Sequence, residues 1–330
     1  MVTIRDVAKE AEVSVATVSR VLNKKGYVNE KTKRRVHRAI QKLGYKPNVI
    51  ARSLSIRKSN IIALVVPAIN NPFFPELARA VEDVAQSKGY KVFLCNTDDR
   101  RDRLVGYLES LRENFVEGII IDSQNLTEND LEDINKEGIP VIMIDRTLSN
   151  QSFSSISVNN HLGGQLATDH LIQVGCQRIG HLRGPDKIVT ANQRFWGYRD
   201  KVKEYVWFDQ SWIALGDFSV ESGYQGMKEL FQRHPDIDGV FAANDLMAIG
   251  ALKAAYEWGR AVPDDLAIIG FDGIDICELT VPRISTIQQP IYRMGELAMQ
   301  ELLQKIQNPG TEAKNFELEV KLIVRESTMR

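Results

Sequence analysis

Two sets of residues in this chain of 330 residues have types and spacing suited to binding chemistry. The first lies near the N-terminus: Val15, Ala16, Thr17, Ser19 and Arg20. On one helix face, small residues like these let a backbone approach base edges. Val15 and Ala16 can touch thymine methyls, Thr17 and Ser19 can reach phosphates, and Arg20 can fork onto guanine. The second set follows apolar runs spread along the chain: Asn71 with Phe73 and Phe74, Asp145 with Arg146, Asn244 with Asp245, and Phe271 with Asp272. Planar polar groups bind hydroxyls in pairs and aromatic faces cover C–H surfaces, so this mixture suits a polyhydroxylated ring.

Each set has a plainer reading. Residues 15–20 can simply face solvent. Asp145-Arg146 can be a structural ion pair, Phe73 and Phe74 can be core at a helix start, and Asn244 or Asp245 can cap the next helix. The joint occurrence of the second set after strand-like runs favours a sugar-like site. Catalysis finds less support. There is no G-x-S-x-G elbow, no G-x-x-x-x-G-K-[ST] loop and no G-x-G-x-x-G after a strand. The histidines, His37, His161, His170, His181 and His234, show no metal spacing. No enzyme activity, metal or cofactor is expected.

Short helices must position the first set. Thr3 to Asp6 fits a capping box opening a helix, with Val7, Ala8 and Ala11 on one face. Glu12-Val13 makes a turn, Ser14 can cap a second helix, and Val18, Val21 and Leu22 share a face of it. Asn29 can cap a third, with Val36, Ile40 and Leu43 inside. Two helices joined by a tight turn predict a helix-turn-helix.

Strands must position the second set. Apolar runs at Ile61–Val66, 91–95, Gly118–Ile121, 140–144, 178–182, Gly239–Ala242 and 266–270 alternate with helical patterns such as 74–88, 162–174 and 246–258. That alternation predicts a doubly wound parallel sheet, and the length allows two such lobes. Ligands of these sheets bind at the carboxyl ends of strands, where the second set falls. Gly163-Gly164 could suggest a phosphate loop; two glycines more simply permit close packing.

Charge divides the chain in the same place. Residues 1–60 hold 15 Lys/Arg against 4 Asp/Glu, and the remainder holds 27 against 39. A basic head on an acidic body fits a polyanion-binding module fused to a domain that does not bind polyanions. Cys95, Cys176 and Cys277 each stand alone, as reduced buried thiols would. The N-terminus reads as no signal peptide and the longest apolar run, Ile61–Val66, is too short to span a bilayer, so a cytoplasmic protein without a membrane partner is expected.

Val2-Thr3-Ile4-Arg5-Asp6-Val7-Ala8, followed by the run from Val13 to Asn23, resembles the head of the LacI/GalR family of bacterial repressors. Lys46-Pro47-Asn48 through Ala51-Arg52-Ser53-Leu54 resembles that family's hinge helix. The resemblance implies a DNA-binding domain over 1–58, with a hinge helix at about 48–57, and an effector-binding and dimerisation domain over 59–330. It adds Thr3, Ser14, Asn23 and Asn48 to the DNA-contacting residues. It also makes Leu54 an apolar wedge in the minor groove, with the small Ala51 beside it; simple burial of Leu54 is the alternative. A helix of about ten residues is too short to be stable alone, so it should order when two copies pair on DNA.

The body resembles the periplasmic-binding-protein fold, its ribose-binding members in particular. Asn71, Phe73 and Phe74 match the first sugar-contacting loop, and Asp145 and Arg146 an Asp-Arg pair. Arg194, ahead of Gly197-Tyr198, matches a sugar-binding arginine; Phe218, Asn244, Phe271, Asp272 and Gln289 match further contacts. The match is weaker over the aromatic stretch 205–212. The likeness is also close to the ribose-responsive members of the LacI/GalR family. It implies a homodimeric transcriptional repressor on double-stranded operator DNA, released by a sugar effector, with D-ribose foremost. Another sugar or a purine corepressor is the alternative. A transport binding protein would carry a signal peptide and lack the basic head.

Overall fold

Thr3 opens the first helix, α1 (Ile4–Glu10), with a complete capping box: its N–H donates to Asp6 Oδ2 at 2.8 Å, and Asp6 N–H donates back to Thr3 Oγ1 at 3.4 Å. The left-handed Glu12 (φ 50°) turns the chain into α2 (Val15–Asn23), which Ser14 caps by accepting from Thr17 N–H at 3.1 Å. α3 (Glu30–Leu43) starts at Asn29 and stops at the left-handed Gly44. Val7, Val18 and Val36, one from each helix, are fully buried against each other's elements. Ala8, Ala11, Val21 and Ala39 complete this core, while Ile40 and Leu43 are only partly buried. Arg35 fastens the turn by donating from Nη2 to the carbonyls of Ala11 (2.7 Å) and Glu12 (2.8 Å).

A computed structural model describes residues 2–23, 26–45, 59–114, 116–145 and 153–330. It divides into two compact units, Met1–Ser59 and Asn60–Arg330. The second unit contains two six-stranded sheets. Lobe 1 carries β1 (Ile61–Val66), α4 (Phe73–Ser87), β2 (Lys91–Asn96), α5 (Arg101–Glu113), β3 (Gly118–Ile121), α6 (Glu128–Lys136), β4 (Val141–Ile144) and β5 (Ser154–Val158). Lobe 2 carries α7 (Asn160–Gln173), β6 (Ile179–Arg183), α8 (Val189–Val202), β7 (Ile213–Leu215), α9 (Val220–Arg233), β8 (Gly239–Ala242), α10 (Asp245–Glu257), β9 (Ala267–Asp272) and β10 (Ser285–Gln288). The chain then returns to lobe 1 as α11 (Ile291–Gln307) and β11 (Asn315–Leu318), and ends in lobe 2 with β12 (Lys321–Ile323).

Strand order is β11-β5-β4-β3-β1-β2 in lobe 1 and β12-β10-β9-β8-β6-β7 in lobe 2. Every pairing is parallel except that of β12 with β10. β1, β3, β4, β8 and β9 are buried almost throughout, which is why they read as continuous apolar runs. Helices cover both faces, so the order of each sheet reverses between two central strands: β1 and β3 in one lobe, β6 and β8 in the other. The lobes are joined by three crossings, after β5, after β10 and after β11. All three cysteines are buried free thiols. No helix among the described residues is long and apolar enough to cross a membrane.

Candidate functional site

A cavity of about 490 Å³ lies between the carboxyl edges of the two sheets. Lobe 1 lines it with the loops after β1 (Asn70, Asn71), β2 (Asp98, Asp99), β3 (Asp122, Gln124) and β4 (Asp145), and with Phe73 and Phe74 at the start of α4. Lobe 2 contributes Thr190 and Arg194 of α8, Asp217 and Phe218 after β7, Asn244 after β8 and Asp272 at the end of β9; Gln289 comes from the second crossing. This is the switch-point position at which doubly wound sheets hold ligands.

Arg194 and Asp272 form the centre of the lobe 2 wall, both almost fully buried. Arg194 Nη1 donates to Asp272 Oδ1 at 3.2 Å and to the Ala243 carbonyl at 2.7 Å. Its Nε donates to Asn160 Oδ1 at 2.8 Å. Gln289 Nε2 donates to the same Asp272 oxygen at 2.8 Å, which turns its own Oε1 away from the carboxylate; that buried oxygen has no partner. Asp272 is a left-handed non-glycine residue (φ 112°), a conformation that costs on the order of 1–3 kcal/mol and needs support. Asp245 supplies it. Its Oδ2 accepts from Gly273 N–H (2.7 Å) and Ile274 N–H (2.9 Å), and its Oδ1 from Thr286 Oγ1 (2.6 Å). Burial, and then the charge of Asp272, push the Asp245 carboxyl up to about 7. Burial also raises Asp272, against the opposing pull of Arg194.

Across the cleft Asp145 occupies another left-handed position (φ 53°), and its Oδ1 is buried without a partner. Burial pushes its carboxyl up to about 6; the Arg194 charge lowers it and the Asp272 charge raises it. Its neighbour Arg146 lies outside the described residues. Asn71 Oδ1 accepts from Phe73 N–H at 3.1 Å, so this residue both starts α4 and lines the cleft. Phe73 and Phe74 meet edge-on, centroids 5.0 Å apart; they belong to the core and to the cleft wall at once. Asn244 caps α10, accepting from Met247 N–H at 2.9 Å, and holds the left-handed Phe218 by donating to its carbonyl at 3.0 Å.

Phe271 lies apart from the other matched residues. The resemblance makes it a ligand contact, but it is fully buried and absent from the cleft wall, with its ring under the Arg194 guanidinium at 3.8 Å. Alternation along β9 explains this: Asp272 faces the cleft, so Phe271 must face the other side of the sheet. It packs where a Cβ at Gly163 would collide with it. Asn160, Asp98, Asp99, Asp122, Thr190 and Asp217 escaped the sequence reading. Asp122 directly follows β3, so the strand-end rule could have found it; Asn160 follows β5, a strand the apolar pattern does not reveal.

On the head, Val15, Ala16 and Arg20 are exposed on α2, and Thr17 and Ser19 are half-buried. Thr17 Oγ1 lies 2.9 Å from Ser14 Oγ, and the exposed Thr3 has its hydroxyl on Asp6. The side chain of Asn23, and Asn48, Ala51 and Leu54 with the whole hinge at 48–57, lie outside the described residues.

Residues 3–48 match the model of bacterial regulatory proteins of the lacI family, and residues 59–326 that of periplasmic binding proteins and the sugar-binding domain of the LacI family. A ribose operon repressor of Halalkalibacterium halodurans is 43% identical over 328 residues, covering 99% of this chain and 97% of that protein. Among solved structures, a LacI-family transcriptional regulator from Enterococcus faecium with bound ribose is 32% identical, with a TM-score of 0.74 over 81% of this chain and 98% of the other. The lac repressor dimer bound to operator and an anti-inducer is 27% identical, with a TM-score of 0.87 over 100% of this chain and 99% of the other.

Proposed function

Since this chain belongs to the LacI family of DNA-binding transcriptional repressors, which are not enzymes, we propose that its cleft receives D-ribose or a close pentose and that the sugar releases the repressor from its operator. The observation that carries this reading is the Arg194–Asp272–Gln289 cluster on one wall with Asp145 opposite. Gln289 Oε1 and Asp145 Oδ1 are buried acceptors without donors, which sugar hydroxyls would supply. Phe73, Phe74 and Phe218 offer aromatic faces for the C–H side of a ring. The ribose in the Enterococcus faecium neighbour and the name of the Halalkalibacterium halodurans relative support a pentose.

In the same proposal the head, residues 1–58, reads operator DNA as half of a homodimer. Thr3, Ser14–Arg20 and Asn23 meet the major groove and backbone, and Asn48, Ala51 and Leu54 the minor groove. Arg146 completes the sugar site beside Asp145. Calorimetry of the full chain against ribose, other pentoses, glucose, galactose, hypoxanthine and guanine, paired with operator gel shifts, tests this. Ribose should bind and loosen operator. Binding of hypoxanthine with none of ribose would overturn the ligand, and tightening of operator by ribose the direction.

A further inference from the structure

We propose that the cleft accepts the free sugar and rejects its phosphate ester, and that the carboxylates at its wall, Asp98, Asp99 and Asp217 above all, enforce the choice by charge. The proposal rests on the sugar reading and adds the chemical class of sugar. Six aspartates line the cavity: these three with Asp122, Asp145 and Asp272. Among the described residues Arg194 is the single cation of the lining, and its guanidinium is committed to Asp272, Asn160 and the Ala243 carbonyl. Counting Arg146 as a second cation leaves the carboxylates in excess. The neighbouring arginines are also engaged. Arg103 is bound to Asp98, and Arg183 Nη1 lies 2.9 Å from Asp186.

Helix starts are the competing attraction for a phosphate, because their free N–H groups and dipoles favour anions. Three of the helices that open on this cleft already have a first-turn N–H capped by a side chain: α4 by Asn71, α9 by Ser219 and α10 by Asn244. Three others that begin beside the lining, α5, α8 and α11, have no side-chain cap. A helix end supplies roughly half a positive charge, against a phosphate ester of about −1.5 to −2 and a wall with more carboxylates than cations. Hydrogen-bond polarity points the same way. Of the described buried side-chain atoms without a partner, the two on the cavity lining, Gln289 Oε1 and Asp145 Oδ1, are acceptors, and they suit a hydroxyl proton rather than a phosphate oxygen; Arg183 Nε, also without a partner, is off the lining. Asp217 is held ionised by Ser219 and Ser222.

Calorimetry of the full chain with D-ribose and with D-ribose 5-phosphate, at low and raised salt, tests the proposal. Ribose should bind more tightly, and the gap should narrow with salt because screening weakens repulsion but not shape. Asp98→Asn, which also frees Arg103, combined with Asp217→Asn should narrow the gap by about tenfold at low salt. Equal or tighter binding of the phosphate overturns the proposal. So does a gap that neither salt nor the double variant moves, since exclusion would then be steric. If the variant does not fold, the salt series on the unaltered chain decides alone. Binding of glucose with none of ribose would sink the ribose reading only; glucose against glucose 6-phosphate then runs the same comparison.

Discussion

Asp145 has an ionisation that should be visible in ligand binding. Burial holds its carboxyl at about 6, far above an ordinary aspartate. The sign follows from linkage. A carboxyl raised on folding stabilises the folded state below its unfolded value, and that contribution is lost as pH rises through about 6. Above 6 the carboxylate is ionised, buried and short of donors, which is the form that sugar hydroxyls bind best. Ribose affinity should therefore fall by about tenfold from pH 7 to pH 5, where about one carboxylate in ten remains ionised. Asp145→Asn should bind more weakly at pH 7 and lose the pH dependence. Calorimetry across this range checks both; an unchanged slope in the variant would assign the titration to another group, with Asp272 first in line.

The elements that carry these residues depend on two helices pressed together. α7 and α8 cross at Gly164 and Gly197. A Cβ on Gly164 would run into the Arg194 carbonyl, and one on Gly197 into that of His161. Gly163-Gly164 is thus a packing device, the simpler of its two readings, and it sets Arg194 at the height where Asn160 can hold its Nε. Gly164→Ala should cost about 1–3 kcal/mol, read as a lower thermal midpoint of the body, and should weaken ribose binding as well because Arg194 moves. A stable variant with unaltered sugar affinity would break this link. The same crossing explains which parts of the fold were legible in sequence. The central strands bury both faces and announce themselves as apolar runs. β5 and β10 do not, because Ser154, Ser155, Ser285 and Thr286 are buried polar residues satisfied by side chains distant in sequence. Ser154 donates to Glu301, and Thr286 to Asp245. The residues such strands deliver, Asn160 and Gln289, are correspondingly hard to find. Gln289 came from family likeness alone, and Asn160 from neither source. The aspartates after β2 and β3 are open to the strand-end rule, whereas Asp217 follows β7, a strand of three residues outside the apolar runs.

At the scale of the whole molecule, three crossings join lobes that share one cleft, and two of the crossings place side chains on the Arg194–Asp272 pair: Asn160 after the first, Gln289 after the second. A ligand held by residues of both lobes stabilises the arrangement in which both walls reach it. It can bias operator binding only by its difference in affinity between the two states of the body. If ribose weakens operator binding by some factor, operator must weaken ribose binding by the same factor, typically about 5–150-fold. Two measurements check this: operator affinity with and without saturating ribose, and ribose affinity with and without saturating operator. The two ratios should agree. Asp272→Ala should erase the first ratio while leaving operator affinity in the absence of sugar intact, because the lost carboxylate belongs to the cleft and not to the head. Unequal ratios would mean that a further species, such as a half-liganded dimer, takes part. A ratio of one in both measurements, with ribose still binding, would mean that the cleft and the head are not coupled and that release from operator needs another signal.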